Sequence, residues 1–225
     1  METTTNSTAI AFPPGFAPQL SAAEPELVLT DKIGEGGKRE CWRHPDNPSL
    51  CIKVAKAKPK AHMQSVLESH YAEHLYKCGV ISPRLPRVHG WKKTNRGWGL
   101  VTDLIHDGSG LPALTLRQAL EQHRISMDEA RELLDEALTW LVKHGVVWVD
   151  ASVDNVVLIR ASHSRPQLAF IDGLGGKRFN AEYRVRCALR WIEKFTARQK
   201  AAKHRSKLLG ALLAGGPDDI KLLAG

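Results

Sequence analysis

Residues 144–159 read HGVVWVDASVDNVVLI: an apolar run, a polar break from Asp150 to Asn155, and a second apolar run. Such runs read as buried strand or the end of a buried helix. A carboxylate set between them is costly unless a cation or a hydrogen-bond donor meets it. Asp150 and Asn155 lie five residues apart, so one short loop can aim a carboxylate and an amide at the same point. Asp154, beside them, reads as a capping carboxylate.

Downstream, LAFIDGLGG (168–176) places Asp172 at the end of a β-like run, with glycines after it that free the backbone. A plain Asp-Gly turn is the simpler account of that residue alone. Two short strands are expected near 155–160 and 167–171, joined by ASHSRP. Upstream, residues 115–123 follow Thr115 as a helix cap. Residues 127–143 follow Ser126, with Glu129 completing a capping box.

Further upstream, residues 28–55 read as two or three strands. The turns fall at Gly34–Gly37 and at His44–Ser49, where Pro45, Asp46, Asn47 and Pro48 favour turns. Gly34 and Gly36 would let backbone approach an anion with no Cβ in the way. Lys53, in the apolar CIKV, needs an anionic partner if it is buried. Residues 61–78 form a helix with the stripe Met63, Leu67, Tyr71, Leu75 and Cys78, ended by Gly79 and Pro83. Glu68 borders that stripe and is the expected partner of Lys53, with Glu73 as the fallback. RVHGWKKTNRGWGLVTDLI (87–105) reads as strand, turn and strand.

The order is therefore a β-rich first half with one helix, then a helix-rich second half with one hairpin. It implies an α+β fold of two lobes with a cleft between them. The expected divisions are a tail at 1–26, an N-lobe at 27–103, a C-lobe at 104–213 and a tail at 214–225. Residues from about 180 to 213 read as helical, with Tyr183, Leu189, Ile192 and Phe195 apolar.

Composition limits the function classes. The 225 residues are 43% hydrophobic and 25% charged, an ordinary globular mixture. No run approaches the roughly 20 apolar residues of a membrane span. The first residues lack the pattern of a secretory signal. Cys41, Cys51, Cys78 and Cys187 form no C-x-x-C pair and read as small core thiols of a cytoplasmic protein rather than a disulfide frame or zinc site. His70 and His74 stand i, i+4, but the sequence offers them no third metal ligand. The tryptophans read as packing residues. The net charge is +8, and Lys177–Lys207 holds eleven Lys/Arg against two acids. A solvated helix face is the ordinary reading of such a segment. Nucleic-acid binding through Arg184, Arg186 and Arg190 is the least favoured alternative.

Glycine turn, strand lysine, helix glutamate, D-x-x-x-x-N and strand-end aspartate stand in the order of the protein-kinase-like superfamily, which the chain resembles from about Leu27 to Phe195. IGEGGKRECWRHPDNPSLCIKV, LESHYAEHL, LTLRQALEQ and RCALRWIEKF resemble more closely the small bacterial YrbL-like (PhoP regulatory network protein) family. The resemblance implies a protein-kinase-like two-lobed fold with a small β-rich N-lobe and a short helical C-lobe. It implies ATP and Mg²⁺ as cofactors and phosphoryl transfer to a hydroxyl on a small molecule or protein. Gly34 and Gly36 would cover the phosphates, Lys53 and Glu68 would form the ion pair, and Asp150 would be the base. Asn155 and Asp172 would hold Mg²⁺. Cys41 and Cys51 would roof the adenine, Val157 would be its floor, and the backbone of Asp103 and Leu104 would meet its edge. The chain departs from that pattern at Trp148-Val149, where His-Arg is usual, and at Ser152, where a lysine is usual. Its metal stretch is Asp-Gly-Leu-Gly, and it lacks a long activation segment. These departures favour, as the alternative, a non-catalytic module that binds nucleotide or a protein partner.

Overall fold

Alternating apolar positions and tight turns make the first half a sheet. In the computed structural model, which describes residues 25–160 and 165–214 (209–214 without side chains), β1 (Lys32–Glu35), β2 (Arg39–Arg43) and β3 (Leu50–Ala55) follow one another. After α1 (His62–Lys77) come β4 (Val88–Thr94) and β5 (Gly97–Asp103). All strand pairings are antiparallel, in the order β1-β2-β3-β5-β4. The register sets Cys41 opposite Lys53, and Lys53 opposite Leu100. Leu29, Trp42, Ile52, Val54 and Val101 form one buried cluster, and Val66 of α1 packs with Trp91 and Leu100 in another. Gly99 is dictated by this packing, because a Cβ there would lie 2.3 Å from the Ile52 side chain.

The second half is helical because its caps and apolar periodicity agree. Thr115 and Ser126 close capping boxes on α2 (Leu116–Glu121) and α3 (Met127–His144). Gly145 ends α3 in the left-handed region at φ 67°, as C-terminal glycines do. One face of α3 is buried through Ala130, Leu133, Leu134, Ala137, Leu138 and Leu141. The hairpin β6 (Val156–Ile159) and β7 (Gln167–Phe170) follows. The expected helix over 180–213 is instead two, α4 (Ala181–Ala188) and α5 (Arg190–Ala214). Leu189 between them adopts an extended conformation. Leu189 and Phe195 are exposed, while Tyr183 is buried.

The molecule is thus α+β, with an antiparallel sheet first and helices after it, the element order of the kinase-like pattern. It divides into two compact units. Unit 1 comprises the described residues through His70 together with Arg87–Leu104; unit 2 comprises Tyr71–Pro86 and those from Ile105 onward. Tyr71–Pro86 therefore group with the helical unit, not with the 27–103 segment expected as one lobe. The tails expected before residue 25 and after residue 214, and most of the ASHSRP link, lie outside the described residues. Among the described residues no helix is long and apolar enough to cross a membrane.

Candidate functional site

In unit 1, strand β3 points Lys53 inward, where the residue is 9% exposed. Its Nζ donates to Glu68 Oε1 at 2.6 Å. Glu73 takes no part in this pair; it meets Lys77 on the surface at 2.6 Å. The second oxygen of Glu68 accepts from Arg39, also at 2.6 Å, and Arg39 reaches Ser65 Oγ at 3.2 Å. Arg39 is 6% exposed. Sequence reasoning assigned it no role. The available signal was an arginine at the start of a strand whose neighbours alternate with apolar residues. Two cations, Lys53 and Arg39, share the Glu68 carboxylate. Burial strengthens these ion pairs, because a charge removed from water gains more from a partner.

Gly34 lies in β1 and Gly36 in the turn, where its N–H donates to Arg39 O at 2.8 Å. A Cβ at Gly34 or Gly36 would make only ordinary contacts, 3.8 Å from Cys41 and 3.7 Å from the Arg39 carbonyl. The chain's own packing therefore does not require glycine at either place. Cys41 and Cys51 share the strand face of Lys53 by register. A hydrogen bond with Cys41, helped by the Lys53 charge, lowers the Cys51 thiol to about 7. At the end of β5, Asp103 accepts from His89 at 2.6 Å and from the Arg87 amide at 2.9 Å. The Asp103 and Leu104 N–H groups donate to Arg87 O and Ser49 O. An adenine edge read at these two residues would find their amides already engaged.

Unit 2 holds the other candidates, and there the main chain does the positioning. Asn155 Nδ2 donates to the Asp150 carbonyl at 2.8 Å, which turns its Oδ1 the other way. Val149 N and Asp150 N both donate to Gly173 O, at 2.8 and 3.2 Å. Gly173 N in turn donates to Asp172 Oδ1 at 2.7 Å. Asp150, Asn155 and Asp172 thus belong to one bonded frame. Gly173 has φ +81°, and a Cβ on it would lie 2.6 Å from Asp150 O. Gly175, at φ +82°, has no room either, because a Cβ would lie 2.6 Å from the Tyr71 ring. Asp150 is exposed, Asn155 and Asp172 are half-buried, and Val157 is buried in β6.

Asp154 has a local duty. Arg117 grips it through Nε at 2.6 Å and NH2 at 3.0 Å. Ser152 Oγ lies 3.4 Å from the same carboxylate. Trp148 is a core residue, edge-on to Phe170 and His204, and its carbonyl meets His204 Nε2 at 2.8 Å. Two of the three arginines of the nucleic-acid alternative are engaged internally. Arg186 is buried and bonds Gly175 O, while Arg190 reaches Glu193 and His144 O; Arg184 is exposed.

A family model described as "PhoP regulatory network protein YrbL" matches residues 26–209. The chain belongs to the YrbL family. Among curated proteins, this YrbL-family chain is 30% identical over 146 residues to "Uncharacterized protein YrbL" of Escherichia coli (strain K12), covering 64% of this chain and 70% of that one. The protein of the same description from Shigella flexneri matches to the same extent. Among solved structures, a crystal structure of a kinase domain matches with a TM-score of 0.46 and 15% identity. That match covers 72% of this chain, which spans about half (53%) of the kinase-domain chain.

Proposed function

We propose that this YrbL-family chain is an ATP-dependent phosphotransferase acting on a hydroxyl acceptor. The observation that carries the reading is the bonded frame that holds Asp150, Asn155 and Asp172 together. Its donor set suits a hard cation: a carboxylate from Asp172, and Asn155 Oδ1, left for a ligand by the bond its Nδ2 makes. Glu68 fixes the positions of Lys53 and Arg39, two cations able to meet phosphate oxygens, and Gly34 and Gly36 leave backbone uncovered where packing alone would accept a side chain.

Lys53 would orient phosphate oxygens, with Glu68 fixing its direction. Asp172 and Asn155 would hold Mg²⁺, which when bound neutralises charge on the phosphates. Asp150, exposed at the tip of the frame, would accept the proton of the attacking hydroxyl. Cys41, Cys51 and Val157 would line the base. Positioning and charge would supply most of the rate.

The test is thermal unfolding with Mg²⁺ and ATP, followed by transfer of labelled γ-phosphate to candidate acceptors. Ligand at about 100 times Kd stabilises by ~2.7 kcal/mol. Lys53→Met and Asp172→Ala should each abolish most of that shift. Asp150→Ala should keep the shift and lose about 10²–10⁴-fold in turnover, the usual contribution of a general base. No shift in wild type would defeat the proposal.

A second reading is a nucleotide-binding regulatory module without transfer. Ser152, tied to Asp154, favours it by standing where a phosphate-contacting lysine is expected. ATP binding with no Asp150-dependent turnover would select this reading.

A further inference from the structure

Unit 2 contains a second cluster of reactive side chains that the proposed phosphotransferase chemistry does not use. His74, on the later turns of α1, meets Glu193 of α5 through Nε2 and Oε2 at 2.9 Å. Cys187, near the end of α4, joins them, and one ligand atom from each of the three lies within 4.8 Å of the others. Cys78, one turn beyond His74, places Sγ 3.8 Å from His74 Nε2. Glu193 is 0% exposed, and its Oε1 is buried without a hydrogen-bond partner, although the Tyr71 hydroxyl lies beside the carboxylate. Oε1 is thus a buried carboxylate oxygen with room for a partner, while Oε2 already meets His74 and Arg190.

We propose that His74, Cys187 and Glu193 form a binding site for a borderline-soft divalent metal ion of the Zn²⁺ type, with Cys78 as the further donor. Sulfur, nitrogen and oxygen donors together select such an ion over Mg²⁺ or Ca²⁺. Tetrahedral zinc distances place ligand atoms about 3.4–3.8 Å apart. The widest separation among His74, Cys187 and Glu193 therefore needs to shorten by about 1–1.4 Å, and Cys78, whose Sγ lies 3.8–3.9 Å from both His74 ring nitrogens, needs to turn toward the other three. Charge also closes. Two thiolates and Glu193 balance the dication and Arg190, which is bonded to the same carboxylate. The Tyr183 hydroxyl, hydrogen-bonded to Cys187, would support the thiolate from outside the coordination sphere. Loading exchanges the cysteine protons for the ion, and the protons leave to solvent. The sequence does not show this cluster, because Cys187 and Glu193 lie more than a hundred residues from His74 in the chain.

The competing account is a purely structural His74–Glu193–Arg190 network, which needs neither sulfur. Titrating the chelator-treated, reduced full chain with Co²⁺ alone distinguishes the two. One Co²⁺ per chain should bind, with thiolate-to-cobalt charge-transfer absorption and intense d–d bands, and Zn²⁺ should displace it. Cys187→Ser should weaken binding at least tenfold and dim the charge-transfer band. His74→Gln should weaken binding comparably, with the far-ultraviolet circular dichroism of both metal-free variants unchanged. His144→Gln, in the same unit, should have no effect. Absence of the band in wild type, or a band unchanged in both ligand variants, overturns the site. If Cys187→Ser does not fold, the titration of His74→Gln decides. The outcome is independent of ATP binding, so it cannot be confused with failure of the phosphotransferase reading.

Discussion

The two groups of candidate residues are held by different forces. In unit 1, Lys53, Glu68 and Arg39 hold one another by buried charge. In unit 2, Asp150, Asn155 and Asp172 are held through backbone bonds that converge on Gly173 and the Asp150 carbonyl. The contrast shows in the glycines. Gly34 and Gly36 have ordinary space around them, whereas Gly173 and Gly175 have none. In unit 1 the side chains are the structure, and any change to one disturbs its partners. In unit 2 the side chains of Asn155 and Asp172 each bond a backbone group, so truncating Asn155 removes a hydrogen bond and not a buried ion pair.

The sharpest way to break this contrast is Glu68→Ala. It leaves Lys53 and Arg39 buried together, and loss of one partner from a buried ion pair costs about 3–5 kcal/mol. With the Glu68 side chain 18% exposed, the lower end is expected. Asn155→Ala, by contrast, should cost only about 0.5–1.5 kcal/mol in urea unfolding, the usual worth of one hydrogen bond. Equal losses from the two would remove the distinction.

Gly173→Ala should come next, at about 2–3 kcal/mol. A left-handed backbone costs a non-glycine residue roughly 1–2 kcal/mol, and the contact with Asp150 O adds to it. Because Val149 and Asp150 both donate to Gly173 O, this variant should also lose turnover, which Gly36→Ala should not do through folding. Urea unfolding of the two variants gives the comparison directly.

A smaller effect concerns pH. His204 supports the frame from below through the Trp148 carbonyl. Burial lowers its pKa from the ordinary 6.5, with Lys200, Lys203 and Lys207 adding to the effect against the Trp148 bond. The unfolded chain then takes up a proton before the folded one as pH falls. The contribution to stability is intact above about 6.5, declines below it, and levels off under the depressed folded value. The unfolding midpoint should fall over that window, and His204→Gln should flatten the slope. Smallest of all, Glu73→Ala removes an exposed i, i+4 pair and should change stability by about 0.5 kcal/mol or less. A larger change would mean that Glu73 has a role beyond its surface pair.

Features with short reach were legible in the chain. The Ser126–Glu129 capping box closes across three residues, Thr115 caps the helix after it, and the turn between β2 and β3 follows from its prolines, Asp46 and Asn47. The order of strands and helices, and Glu68 rather than Glu73 on the side of α1 that meets Lys53, follow from periodicity, because side chains three or four apart share a helix face. The break at Leu189 was not legible, since the apolar spacing continues through it while the backbone does not.

Features with long reach required the fold. Arg39 meets Glu68 across 29 residues, and His74 meets Glu193 across 119. No periodicity links such positions. Their pairing follows from which strands and helices pack together, and burial then makes each charge depend on whatever partner that packing supplies. Glycine identity divides along the same line. The residues were plain to read, but whether a Cβ would strike a neighbour, as at Gly173, or make only an ordinary contact, as at Gly34, depends on atoms brought there by other parts of the chain.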